Sequence, residues 1–430
     1  MKALLTKEYI DLRIDHFKGK VFGLWKKPEF YHRLGSYPLP KFKLITSSFP
    51  NFEKIVYQTD HVHFTFHLSG YGMLQNEARM AFLGESAERF AYASQYSVLN
   101  KRIVFDSYEN LMKKRKDHEL VCPLDYINIH YDRGHDHHIE KTDKISWLKM
   151  HSLIKSGHFV YIPFQMVVSG ASKMLPNEKH PIINAVSTGT ASHETFVQSL
   201  ENAIIESMQL DSFNIHWYGG IRGEDITESH KDILEKVFGE NGDFFEMFTV
   251  KFTDLSFDKP IFIAMCEIFS EHSHLPKYTV GIQGAYSMRK AIYRSLMETL
   301  AILEYNLNVC WADPDRFKNS VSLSIFDNLD DNVIYYSRTG KPGLKFTPYV
   351  FRPVPKVKNI KELLDSLKRY SIYAGVADIT PADFIGCNQV ICRVVIPELI
   401  PLCIPSFPQS NHPKYRALFG VVNDHPHPLP

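Results

Sequence analysis

Neither sign of charge is in excess in this chain: 49 Lys and Arg face 48 Asp and Glu, a formal net charge of +1. The electrostatic footprint of a nucleic-acid or anionic-lipid binder is therefore missing, and no nucleic-acid partner is expected. Neither common phosphate loop, G-x-x-x-x-G-K-[ST] or G-x-G-x-x-G, occurs. Six cysteines (Cys122, Cys266, Cys310, Cys387, Cys392 and Cys403) include no C-x-x-C pair. Their scatter argues against structural zinc and fits thiols buried as small apolar residues of a reduced, cytoplasmic protein. A metal knuckle from Cys387, Cys392 and Cys403 lacks a fourth ligand at a usual spacing. The first residues form no apolar signal core, and no uninterrupted apolar run reaches the length of a membrane span.

What is present is a globular composition, 44% hydrophobic and 13% aromatic over 430 residues. Length alone suggests roughly two or three domains. The chain is organised around residues 187–213. There Ser187-Thr188-Gly189-Thr190-Ala191 reads as a glycine turn after the apolar run that ends at Val186. A helix of about four turns is predicted to follow, because Val197, Leu200, Ile204 and Met208 recur at helical spacing. A second line, Gln198, Asn202, Glu206 and Gln209, carries oxygen-bearing side chains one turn apart. Such a line either converges on a cation or is simply the wet side of an amphipathic helix.

Recurrence favours the first reading. At residues 61–93, Val62, Phe64, Phe66 and Leu68 alternate like a strand, and Ser69-Gly70-Tyr71-Gly72 reads as a turn. A helix then places Met80, Leu83, Ala87 and Phe90 on its core side, with Ala81, Glu85, Glu88 and Tyr92 on another. The plan returns at residues 278–301, where Arg294 and Glu298 stand one turn apart above Ala291 and Ser287. The intervals are unequal, so this is no solenoid.

The pieces SGYGMLQNEARMAFLGESAERF and STGTASHETFVQSLENAIIESMQLDSF, with the terminal PHPLP, resemble the YcaO superfamily, and within it the azoline-forming cyclodehydratase subunits. The likeness runs from about residue 60 to the end, so residues 1–60 are expected to be a wrapping segment of strands and loops and 61–430 the catalytic domain. It implies an α+β fold with mixed β-sheets and acidic helices around a central ATP site. It also implies ATP and Mg2+ as cofactors, with Glu85, Glu88, Glu206 and Gln209 as ligands of magnesium or its waters. Arg294 would steady the phosphates and Glu298 complete that wall; an ion pair between the two is the plainer alternative. The sequence departs from the family pattern at Gln209, where glutamate is usual, and at Gln198, Ala81 and Tyr71. These changes bear on the metal count.

Proline occupies every second position from Pro426 to Pro430, and such a segment is stiff and extended. It is either a frayed end or an arm that delivers its terminal carboxylate to a fixed point. The resemblance implies the arm, with the Pro430 carboxylate as a general base beside Glu206. The reaction it implies is ATP-dependent cyclodehydration of Cys, Ser and Thr in a ribosomally made precursor peptide. Backbone thioamide formation and a non-catalytic, peptide-binding role are the alternatives. The expected partners are a separate ubiquitin-activating-enzyme-like scaffold that binds the leader and, where azoles are made, an FMN-dependent dehydrogenase. A homodimer or larger complex is expected.

Elsewhere His130 to His138 is rich in metal-binding side chains, but it is contiguous and glycine-broken and reads as a surface loop. Strands are predicted at 159–164, 246–252, 260–266 and 390–396, and helices at 226–238 and 359–369.

Overall fold

A computed structural model describes residues 7–18, 23–25, 31–35, 38–48, 67–129, 138–168, 175, 177, 186–239, 242–315, 329–384, 386–405 and 408–430. The expected strand residues Val62, Phe64 and Phe66, the lysines Lys20 and Lys26, and residues 130–137 lie outside that set. The chain divides into two compact units, each assembled from three stretches.

The first unit comprises residues 1–34, 43–204 and 367–398. It opens with a helix, α1 (Lys7–Phe17), where strands and loops were expected. Ile10, Ile14 and Phe17 share one helical face and are buried, which selects helix over strand. Buried Arg13 on α1 ties it down through Glu194, 2.6 Å away, and the Asn388 carbonyl at 3.0 Å.

A three-stranded antiparallel sheet, β1 (Tyr31–Leu34), β2 (Lys43–Ser48) and β3 (His67–Gly72), leads into the long helix α2 (Gln75–Leu99). Ser69 to Gly72 is thus strand, not the predicted turn. A Cβ on Gly70 would lie 2.2 Å from Ala78 O and from Phe82 N. Glycine is needed there for the close approach of helix to strand, which sequence reading takes for a turn signal. Trp25 stacks on Phe82 at 4.8 Å and donates to Ser86 Oγ at 3.0 Å, fixing the core side of α2.

The unit's larger sheet has seven strands. They are β4 (Ile103–Ser107), β5 (Glu119–Val121), β6 (Lys144–Ser152), β7 (Phe159–Pro163), β8 (Thr190–His193), β13 (Gly375–Asp378) and β14 (Val390–Val395). The order is β5-β7-β6-β13-β14-β8, with β4 also on β6; only β5 and β7 run parallel, so the sheet is mixed. Short helices α3 (Tyr108–Lys114) and α4 (Phe164–Val167) accompany it.

Helix α5 (Phe196–Trp217) is 22 residues long, about six turns against the four predicted. The turn before it is confined to the residues around Gly189 (φ 82°), and Thr190–His193 is strand. Leu200, Ile204 and Met208 are buried as predicted, but Val197 is 54% exposed. Ser199 takes part of the place assigned to it: its hydroxyl donates to Ala191 O at 2.6 Å and accepts from Cys392 N at 3.1 Å. The division between the units falls inside α5, between Ile204 and Ile205.

The second unit comprises residues 35–42, 205–366 and 399–430. Its antiparallel sheet runs β12-β11-β10-β9, from β9 (Glu224–Asp225), β10 (Thr249–Asp254), β11 (Phe262–Phe269) and β12 (Tyr278–Ala285). Around it lie α6 (Lys231–Phe238), α7 (Gly242–Met247), α8 (Met288–Ala312), α9 (Leu329–Thr339) and α11 (Pro413–Leu418), with α10 (Ile360–Leu367) at the end of the middle stretch. Gly284 lets α5 press on β12, since a Cβ there would come 2.8 Å from Ile205 Cγ2. Among the described residues no helix is long and apolar enough to cross a membrane.

A sealed ionic cluster holds the C-terminal half of α5. Asp211, with no exposed surface, lies 2.9 Å from Lys259 Nζ and 2.5 Å from Lys414 Nζ, and accepts from Ile400 N at 2.8 Å. Burial pushes the Asp211 carboxyl up, but the two ammonium groups and the amide outweigh it and hold it down at about 2. Replacing Asp211 with alanine should cost about 3 kcal/mol, because it leaves buried lysine charge short of a partner; a loss well under 1 kcal/mol in denaturant titrations would contradict that role.

Two buried imidazoles set an acid limit. His216 faces Ile221 O at 2.9 Å and His427 faces Cys403 O at 2.8 Å, and burial pushes both down to about 4. In the unfolded chain they titrate near the ordinary 6.5. Between pH 6.5 and 4 the unfolded state therefore binds protons that the fold refuses, and stability falls by about 3 kcal/mol per histidine. Asp211 acts in a lower window, its contribution being lost as pH falls from 3.8 toward 2. Unfolding midpoints measured from pH 7 to 4 should decline steadily; a flat profile would rule out neutral buried imidazoles.

Candidate active site

In the first unit the candidate residues sit on α2. Glu85 Oε2 accepts from both the amide and the hydroxyl of Ser69, each at 3.2 Å, so the strand that precedes the helix aims the carboxylate. Arg89 lies 3.9 Å from Glu85 and 3.6 Å from Glu88. All three side chains are about a quarter exposed, enough to meet a solute (25%, 20% and 24%). Further along the same face, Gln95 is fully buried and neither end of its amide has a hydrogen-bond partner. An orphaned buried amide calls for an explanation, and it stands about 10 Å from Glu88 along the helix axis.

In the second unit Gln209 and Glu298 grip the same piece of edge strand. Gln209 Nε2 donates to Ile282 O at 2.7 Å, while Gln209 Oε1 accepts from Gly284 N at 2.8 Å. Glu298 Oε2 accepts from Ile282 N at 2.9 Å and from Gln283 Nε2 at 3.2 Å. The outward backbone groups of β12, which a sheet edge normally leaves open, are thus capped by side chains from α5 and α8. Gln209, expected among the metal ligands, has both ends of its amide on β12. A carboxylate there would face the Ile282 carbonyl without a proton to give, which accounts for an amide in place of the family's glutamate.

Glu206 lies one turn before Gln209 and is partly exposed, as is Glu298, whereas Arg294 is exposed. The protein packed around Glu298 pushes its carboxyl up to about 7; the bonds from Gln283 and Ile282 and the nearby Arg294 charge oppose this, and Glu206 adds to it. Glu206, Arg294 and Glu298 are therefore mutually close, as the sequence pattern predicts. Glu298 is part-protonated near neutral pH, a state that an arriving cation would convert to the anion.

The donor set consists of carboxylate and amide oxygens, which suits a hard ion such as Mg2+. Among the described residues no three His, Cys, Asp or Glu side chains already form a metal cage. That fits an ion that retains waters and is bound jointly with phosphates. Gln198 bonds locally instead, accepting from Thr195 Oγ1 at 2.8 Å, and Thr195 Oγ1 in turn caps the first turn of α5 through Gln198 N at 3.3 Å.

Sequence reasoning passed over Arg393. It is buried in β14 and donates to Thr188 O at 2.5 Å, Val186 O at 2.9 Å and Thr190 Oγ1 at 3.0 Å, shaping the approach to α5. A single arginine in the apolar run Val390–Val395 was the available signal. The proline-rich end was left open between frayed and ordered; Pro426 to Leu429 are buried and Pro430 is exposed.

Comparison with known proteins adds four findings. A family model described as YcaO cyclodehydratase, ATP- and Mg2+-binding, matches residues 69–400. No curated protein matches the chain. Among solved structures, a heterocyclase in complex with substrate and cofactor aligns with TM-score 0.65 at 15% identity over 92% of this chain and 52% of its own, so the chain spans about half that protein. The Escherichia coli microcin synthetase McbBCD complex with pro-MccB17 bound aligns with TM-score 0.61 at 15% identity, over 95% of this chain and 98% of the other. YcaO from Methanopyrus kandleri bound with AMPPCP and Mg2+ gives 0.51 at 12%, over 93% and 90%. At such identities the structural likeness establishes the fold.

The grip of Gln209 on β12 is open to test. Gln209→Glu should lower stability by about 2 kcal/mol at pH 8, since a carboxylate cannot donate to Ile282 O. Part of the loss should return near pH 5, where a protonated carboxyl can donate. Equal urea midpoints for the variant and the parent at pH 8 would show that the amide nitrogen is dispensable.

Proposed function

The chain belongs to the YcaO cyclodehydratase family, and from that premise we propose that it spends ATP to remove water from a ribosomally made precursor peptide. The products are thiazoline and (methyl)oxazoline rings at Cys, Ser and Thr. The observation that carries the reading is the meeting of Glu206, Arg294 and part-protonated Glu298 at one strand edge. Two carboxylates so close are an unfavourable arrangement until a cation joins them.

In this reading a substrate thiol or hydroxyl attacks the preceding backbone carbonyl carbon and gives a tetrahedral hemiorthoamide. Its oxygen takes the γ-phosphoryl group of ATP, releasing ADP. Phosphate then leaves with that oxygen, the former amide nitrogen gives up its proton, and the C=N bond of the azoline forms. Phosphoryl transfer of this kind depends on positioning and on neutralising negative charge. Magnesium, when bound, supplies positive charge against the phosphate oxygens. Glu85, Glu88 and Glu206 hold it directly or through water, with Gln209 keeping β12 in place. Arg294 steadies the phosphates, Glu298 completes their wall, and the Pro430 carboxylate accepts a proton from the substrate. Gln95 offers a paired donor and acceptor to the nucleotide.

Partners follow from the same reading: a leader-binding scaffold, the precursor peptide and, where azoles are formed, an FMN-dependent dehydrogenase, all in a cytoplasmic complex. The neutral side chains Gln198 and Gln209 favour one alternative, a subunit that binds peptide without turning over ATP. Reconstitution with the scaffold and peptide encoded beside it separates the two, scored by ATP-dependent loss of water in the mass spectrum. Glu88→Ala and Glu206→Ala should each lower the rate by about a hundredfold or more. Unchanged rates in both would remove these residues from the site, and no turnover by the parent protein would favour the binding subunit.

A further inference from the structure

The terminal segment is held by its backbone rather than by its side chains. Trp217 Nε1 donates to His425 O at 2.9 Å, and Tyr336 Oη donates to Pro426 O at 2.6 Å. His427 N donates to Tyr218 Oη at 3.0 Å. Asn332 Nδ2 bridges two residues, donating to His427 O and to Leu429 O, the latter at 3.0 Å. Prolines at 426, 428 and 430 bring no N–H of their own, so carbonyl acceptors dominate the segment and donors on α5 and α9 meet them.

These contacts have a direction. His425 meets Trp217, while the His427 ring stands edge-on to Phe213 with centroids 6.3 Å apart. Trp217 and Phe213 are four residues apart on α5, about 6 Å of helix rise. From His425 to His427 an extended proline-rich chain also advances about 6 Å. The tail therefore runs against the direction of α5, two tail residues to each helical turn. At that pitch Leu429 comes level with Gln209, and Pro430 lies between Gln209 and Glu206.

We propose that α5 and α9 act as a gauge that stops the terminal carboxylate level with the Glu206–Gln209 turn, with Asn332 and Tyr336 as the positioning residues that set the stop. Asn332 matters most, because a single amide spans the last two carbonyls before the chain end. This rests on the cyclodehydratase reading only for its consequence in catalysis; the register itself does not depend on it.

The register is tested without substrate in the full-length protein. With Glu206→Cys and Pro430→Cys combined, a short bismaleimide should join positions 206 and 430, as mapped by mass. Adding Asn332→Ala should cut the yield about tenfold. Reaction of position 430 only with native Cys310 or Cys387 would overturn the proposal. Because the cysteine pair alters the site, exchange of the His427 and Leu429 amides is measured separately in Asn332→Ala and Tyr336→Phe; both should exchange faster, and unchanged exchange in both would also overturn it. In the reconstituted reaction Asn332→Ala should lower kcat about tenfold with KM for ATP and peptide within about twofold. If removing Pro430 stops turnover while Asn332→Ala does not slow it, the gauge is wrong and the general-base reading survives. If removing Pro430 changes nothing, the general-base reading fails while the cross-link still decides the register.

Discussion

A carboxylate sealed from solvent fixes the helix on which the second unit's chemistry is arranged. Asp211 draws Lys259, Lys414 and the Ile400 amide onto α5 from positions far apart in the sequence. Two residues earlier on the same helix stands Gln209, and five earlier Glu206; two later stands Phe213, and six later Trp217. The pin thus falls between the acidic turn and the surface that receives the tail. Lys414 and Ile400 lie in the stretch that leads to the tail, so one buried charge anchors both the helix and the segment laid along it. A hydrophobic replacement would bring less desolvation cost but no direction, and direction is what places two sets of side chains on one axis.

Around that axis polar groups are matched locally, and charge is left unbalanced only where a ligand would complete it. The edge of β12 is capped by an amide and a carboxylate instead of another strand. The carboxylate so used is crowded by Glu206 and raised toward neutral pH. Asp211, by contrast, is over-compensated and held far below its ordinary range. Two acids on neighbouring turns thus serve opposite ends: one is locked as an anion to hold structure, the other is poised to change state. The His216 and His427 rings, each satisfied by one carbonyl and otherwise shut away, belong with the structural group.

The strand-then-acidic-helix units were legible because they depend on local periodicity. Each of the three predicted units is present, as β3–α2, β8–α5 and β12–α8. Glycine was the weak point. Gly70 was read as a turn former, whereas its missing side chain admits the backbone of α2. The helix over Lys7–Phe17 was hidden by its basic and aromatic composition, although Ile10 and Ile14 carried the spacing. The residues that hold the candidate site together were illegible for a different reason. Asp211, Asn332 and Arg393 find their partners 95 to 205 positions away, and no pattern within a window of sequence reports such pairs. The identity of Gln209 looked like a lost ligand in sequence and has a local cause in structure, two bonds to β12.

The central claim is that the carboxylates near β12 await a magnesium nucleotide. Calorimetric titration of the full-length protein with Mg2+ and a non-hydrolysable ATP analogue at pH 7, in two buffers of different ionisation heat, tests it most directly. The account predicts saturable, Mg2+-dependent binding that releases a fraction of a proton, because Glu298 must ionise, and a smaller release from Glu298→Gln. Absence of Mg2+-dependent binding, or equal proton release from the variant and the parent, would contradict it.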